Sequence, residues 1–128
     1  MEYSTLDKLG VRVSRLGFGC MRFPLTAEGK IDEPRAAMLD TAYKAGVTYY
    51  DTAYFYHQHT GEAFLGRAMK RYPRDTFYLA TKMPMSIVES LDHAKEIFEG
   101  QLAALQTDYV DFYLLHGVNG ERWKQAQG

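Results

Sequence analysis

Apolar residues recur along the chain with two different periods, in alternation. Short continuous runs fall at 16–20 (LGFGC), 47–50 (VTYY), 77–81 (FYLAT) and 109–115 (YVDFYLL). Their length and richness in aromatic and aliphatic side chains predict strands buried on both faces. Between them the spacing changes to that of a helix. Leu39, Ala42, Tyr43 and Gly46 follow a start at Asp32, a good N-cap, with Pro34 in the first turn and Gly46 as the stop. Phe64, Leu65, Ala68 and Met69 share one face of a second helix that starts at Thr60 and is ended by Pro73. Ala94, Ile97, Phe98, Gln101, Leu102 and Leu105 form a third stripe whose one polar member is Gln101.

Ahead of the first run, segments 3–6 and 11–13 flank a turn at Gly10 and predict a β-hairpin. Residues 120–128 begin a fourth helix. The predicted order is a hairpin followed by βαβαβαβ, and strands alternating with helices imply a parallel sheet with right-handed crossovers.

The composition narrows the possible functions. At 128 residues the chain is expected to hold one domain at most, with an apolar fraction of 46% and a charged fraction of 24%, as in ordinary globular proteins. A net charge of -1 with no long basic run argues against nucleic-acid or membrane-surface binding. No apolar stretch approaches the length of a bilayer span. The opening MEYSTLDKLG lacks a signal-peptide core, and a lone Cys20 suits a reducing compartment, so a cytoplasmic location is expected.

In a parallel α/β sheet the chemistry gathers at the carboxyl ends of the strands. The second run ends at Asp51, the third leads into Lys82, the fourth ends at His116, and Tyr56 lies in the loop after the second. Each has a plain reading alone: a turn cap for Asp51, a solvated strand end for Lys82, an interior hydrogen-bonded ring for His116, aromatic packing for Tyr56. Their shared address favours chemistry. A free phenol, with a pKa near ~10, is a poor acid at neutrality, and a neighbouring ammonium would stabilise its phenolate. Asp51 would hold that ammonium, and His116 could orient a carbonyl oxygen.

The segment DTAYFYHQHTGEAFLG resembles the signature of the aldo-keto reductases, with Asp51, Tyr56, Glu62, Leu65 and Gly66 at its marked positions. YSTLDKLGVRVSRLGFGCM is similar to that family's hairpin and first strand, and TKMP and DYVDFYLLHG to its Lys and His strands. The wording LLHGVNGERW is similar to bacterial members that carry a ferredoxin-like tail. The resemblance implies an α/β fold, the N-terminal half of a TIM (β/α)8 barrel: residues 1–15 as hairpin and 16–128 as the first four βα units. It implies a catalytic tetrad of Asp51, Tyr56, Lys82 and His116. Cys20, Met21 and Arg22 would border an NADP(H) cofactor together with Asp51. The implied reaction is reduction of an aldehyde or ketone to an alcohol.

The resemblance also implies that the loops gripping the cofactor's phosphates follow later strands. Closing such a barrel takes eight strands and about 250 residues. The chain is therefore expected to be a truncated half with weak cofactor binding, pairing through its strand edges with a second copy or with the remaining half of the barrel. The alternatives are a nicotinamide-sensing protein or a self-associating half-barrel without catalysis. His57 and His59 form an HxH pair with no third metal ligand in view, and Gly17-Phe18-Gly19 lacks the third glycine of a dinucleotide loop.

Overall fold

A computed structural model describes the whole chain, Met1–Gly128. β1 (Tyr3–Leu6) and β2 (Val11–Ser14) form the expected antiparallel hairpin, turning through a short 3-10 segment that Gly10 closes with a φ of 62°. A second sheet of four parallel strands follows, in the order β3 (Gly17–Gly19), β4 (Tyr49–Asp51), β5 (Tyr78–Pro84), β6 (Phe112–His116). Between and after these strands lie α1 (Met38–Lys44), α2 (Gly61–Met69), α3 (Leu91–Leu105) and α4 (Gly120–Gln127). Spatial order equals chain order, so α1, α2 and α3 are each a crossover to the neighbouring strand, and α4 follows the last strand.

The strands are displaced from the apolar runs for local reasons. β4 begins at Tyr49 because Thr48 N–H is taken by the Ser14 hydroxyl, while Ser14 N–H bonds the Thr48 hydroxyl, both at 2.9 Å. Tyr109 and Val110 precede β6 because Asp111 stands in for ladder bonding: its carboxylate accepts Leu79 N–H and the Arg74 guanidinium, each at 2.8 Å. β5 runs on through Lys82 to Pro84.

The first helix also starts differently. Asp32 does accept Arg35 N–H on its side chain, but residues Arg35–Ala37 wind as a 3-10 turn before α1 begins at Met38. Its end is as expected: Gly46, at φ 92°, lets Val47 N–H reach Ala42 O and its own N–H reach Tyr43 O. α2 starts directly after Thr60, although that hydroxyl turns back to His57 O instead of capping the helix. α2 stops at Met69, short of Pro73. α3 is capped by Ser90, which accepts His93 N–H.

The core lies between the sheet and the helices, where Leu39, Tyr50, Phe64, Leu65, Phe77, Leu79 and Leu105 pack together. Alternation along the strands turns Tyr49, Asp51, Tyr78, Ala80, Lys82, Phe112, Leu114 and His116 to the opposite face. There Phe112 packs against Tyr49 and Tyr78 at ring separations of 5.2 and 6.3 Å. No helix is long and apolar enough to cross a membrane.

Candidate active site

The strand pleat determines which side chains can meet. Asp51 ends β4, Lys82 lies in β5 and His116 ends β6, all on the face turned away from the helices. Lys82 Nζ donates to Asp51 Oδ1 at 2.6 Å, to Thr52 O at 2.7 Å and to the Tyr56 hydroxyl at 3.3 Å. An ammonium has three N–H bonds, and each has a partner here. Because the Tyr56 oxygen accepts from Lys82, its own hydrogen is left to point elsewhere. Nζ also stands 4.9 Å from the centre of the Tyr56 ring.

The pair is partly removed from solvent, with the Lys82 side chain 12% and that of Asp51 29% exposed. Leaving either charge alone in such a place is costly, which is why the two occur together. The His116 ring stands edge-on to Tyr56 at 6.0 Å, and its Nδ1 is buried without a protein partner. The structure thus brings together all four residues singled out for catalysis.

The turn after β3 runs beside this cluster, tied to it by Cys20 N–H donating to Asp51 O at 2.8 Å. Its three members differ. Met21 and Arg22 are exposed, whereas Cys20 is fully buried in the core, where burial pushes its thiol far above the ordinary range. The Cys20 side chain is a small hydrophobe, and only its backbone faces the site side. His57 and His59 do not converge on a metal: one packs on Phe23, the other on Tyr54 and Phe55.

A second polar cluster, on the helix side of β5, was only half visible in the sequence. Glu62 of α2 accepts the Thr81 hydroxyl and the Gln101 amide, and that amide also donates to Lys82 O at 3.0 Å. Tyr113 completes the chain by donating to Gln101 Oε1 at 2.7 Å, and burial pushes its phenol up to about 12. Burial likewise raises Glu62 above the ordinary carboxyl range, opposed by its hydrogen bonds to Thr81 and Gln101. The available signal was Gln101 alone in an apolar stripe: a buried amide needs partners.

The sequence pattern of the aldo/keto reductase family matches residues 15–122. The chain belongs to this family. It is 34% identical to the aldo-keto reductase YhdN of Bacillus subtilis (strain 168) over 125 residues, covering 91% of this chain and 38% of that protein. It is 31% identical to probable aldo-keto reductase 1 of Glycine max, covering 89% of this chain and 36% of the other. Among solved structures, a thermostable aldo-keto reductase in complex with the inhibitor epalrestat superposes with a TM-score of 0.79 at 32% identity, covering 94% of this chain and 44% of that one. The aldo-keto reductase of Klebsiella pneumoniae in complex with NADPH superposes with a TM-score of 0.76 at 26% identity, over 100% and 47%. The chain spans less than half the length of these relatives. Its four parallel strands are the corresponding part of a TIM barrel.

Proposed function

We propose that residues 1–128 form one barrel-type unit whose site delivers a proton during reduction of an aldehyde or ketone. Lys82 Nζ lying between Asp51 and the Tyr56 hydroxyl is the observation that carries this reading. A carbonyl oxygen seated between Tyr56 and His116 receives the phenol proton. The Lys82 ammonium, at 3.3 Å, then faces the phenolate that remains. Asp51 and Thr52 O hold Lys82 in place, and His116 orients the substrate oxygen. Reduced nicotinamide, when bound, supplies the hydride, so carbonyl carbon gains two electrons and oxygen gains the proton. Tyr56 regains its proton from water.

The residues fit the cofactor's nicotinamide end. A Cβ built on Gly19 meets nothing within 4 Å, so the strand beside Asp51 is open, and Met21 and Arg22 flank it exposed. NADP(H) is the cofactor favoured by the NADPH-bound neighbour. By themselves the 128 residues are expected to bind NADPH weakly and turn over little. Carbonyl reduction by the full-length protein and its Tyr56→Phe variant, followed through NADPH oxidation, tests the assignment. Retention of more than about a tenth of the rate in the variant would remove Tyr56 from this role.

A further inference from the structure

Tyr56 is followed by an unusual stretch of backbone. His57, Gln58 and His59 all lie in the left-handed region, with φ of 52°, 54° and 68°, and none is glycine. A Cβ disfavours that conformation at each position, so three in succession persist only where the surroundings hold them. The stretch is held from both ends. Thr60 donates its hydroxyl and its N–H to His57 O, at 2.6 and 3.1 Å. Gly61 N–H bonds Tyr56 O at 3.1 Å. His59 sets its ring edge-on to Tyr54 and Phe55, at 4.8 and 5.3 Å.

The remaining tie is to another loop. Phe23 N–H donates to His57 Nε2 at 3.3 Å, and the two rings stack at 5.5 Å. Phe23 is itself anchored: it is 5% exposed and packs on Phe18 and Phe64. It directly follows Cys20, Met21 and Arg22, the turn beside Asp51. His57 therefore joins the loop carrying the Tyr56 hydroxyl to the turn on the other side of the proposed site.

We propose that His57 is a positioning residue: its neutral imidazole, by accepting Phe23 N–H, holds Tyr56 in register with the turn after β3 and releases it in acid. The inference rests on the reading of Tyr56 as proton donor. An imidazolium carries N–H on both nitrogens and cannot accept, so protonation of His57 breaks the Phe23 bond. Burial favours the neutral ring, shifting His57 below its ordinary value, while a bond to the Cys20 backbone acts the other way. The bond is thus intact at neutral pH and is lost as pH falls through the shifted value.

The other groups around it respond differently. Cys20, with its thiol shifted upward, stays neutral throughout, and Arg22 is exposed to solvent. On α2, Glu62 is bonded to Thr81 and Gln101, and Asp51 on β4 is paired with Lys82. His59, in the same loop, is exposed and turned to Tyr54 and Phe55, so His59→Gln and Glu62→Gln serve as controls for the acid transition.

The test follows the Phe23 amide and the Tyr56 ring carbon by NMR across pH in the 128-residue chain, with kcat and KM of the full-length protein in parallel. Wild type is expected to shift both signals in one step with a midpoint below 6.5, the ordinary imidazole value. His57→Gln keeps an acceptor that does not titrate, so both signals and the acid limb of kcat should become flat. His57→Phe keeps the stacked ring without an acceptor. It should resemble the acid form at every pH, with kcat lowered on the order of ten- to a hundredfold and KM for the carbonyl little changed. A Phe23 amide unmoved by pH in wild type, or a step abolished by His59→Gln or Glu62→Gln instead, overturns the proposal. A fully active Tyr56→Phe overturns the proton-donor reading, a different result from a flat Phe23 signal.

Discussion

Every N–H of the Lys82 ammonium points at oxygen, and that arrangement makes the single-residue expectations specific. Tyr56→Phe keeps the ring packed beside His116 and deletes the proton, so kcat of the full-length protein should fall on the order of a hundred- to ten-thousandfold with the fold intact. Lys82→Met leaves the donor but removes the cation facing the phenolate, so a smaller loss of kcat is expected. Asp51→Asn acts through Lys82, and its effect should be partly redundant with that of Lys82→Met, since members of one network are not additive. A double-mutant cycle in kcat checks this; strictly additive effects would separate Asp51 from Lys82. Cys20 invites a different test. Its thiol is fully buried and shifted upward, so alkylation at neutral pH should be negligible in the folded chain and fast once it is unfolded. Mass spectrometry before and after denaturant reads the difference. The catalytic candidates Asp51, Tyr56, Lys82 and His116 were legible in the sequence because strand ends and the loops that follow them on a parallel sheet share one rim. The part played by Thr52 O was not, because a carbonyl carries no side-chain signal.

At the scale of elements, the contact of α2 with α3 depends on an absent side chain. A Cβ on Gly66 would stand 2.6 Å from Ala104 O, a backbone atom that cannot step aside cheaply. Gly66→Ala should therefore destabilise by about 1–3 kcal/mol through overpacking, measured as a lower urea midpoint at constant slope. Beside that contact, Glu62 joins α2 to Thr81 on β5 and Gln101 on α3. Burial raises its pKa above 4.5, so the folded state favours the protonated form. The stability from this shift is fully present below the unfolded value and is lost as pH rises through the folded one. Glu62→Gln keeps an acceptor and cannot ionise. Its stability should fall less than that of wild type when pH is raised above 4.5. Equal slopes in the two proteins would show that Glu62 does not carry the effect. The helices were readable because each buries one face, and a periodic stripe records that. Their first turns were less readable. The 3-10 turn at Arg35–Ala37 and the reversed Thr60 hydroxyl both depend on which neighbour reaches a backbone group first.

For the whole molecule, the sheet has two open sides. β3 and β6 each pair with a single neighbour, and Leu114 and Val118 at the β6 side are 40% and 45% exposed. Unpaired strand edges beside apolar surface favour association. The 128-residue chain is expected to associate through these edges, seen by light scattering on a sizing column as a mass that rises with concentration. A monomer with cooperative unfolding at low micromolar concentration would contradict this.

By itself the sequence determined the alternation of strand and helix, the hairpin, the four residues at one rim and the family. These are properties of period and of ordered motifs, which survive without knowledge of long-range contacts. The tertiary structure decided what depends on partners distant along the chain. It placed the Cys20 side chain in the core while leaving its backbone at the site. It delayed β4 and β6 through Ser14, Thr48 and Asp111, whose side chains replace ladder bonds. It turned Glu62 and Gln101 toward each other across 39 positions of chain, and His57 toward Phe23 across 34. In each case a polar group taken out of water had to find a partner, and only the folded chain sets which partner lies within reach.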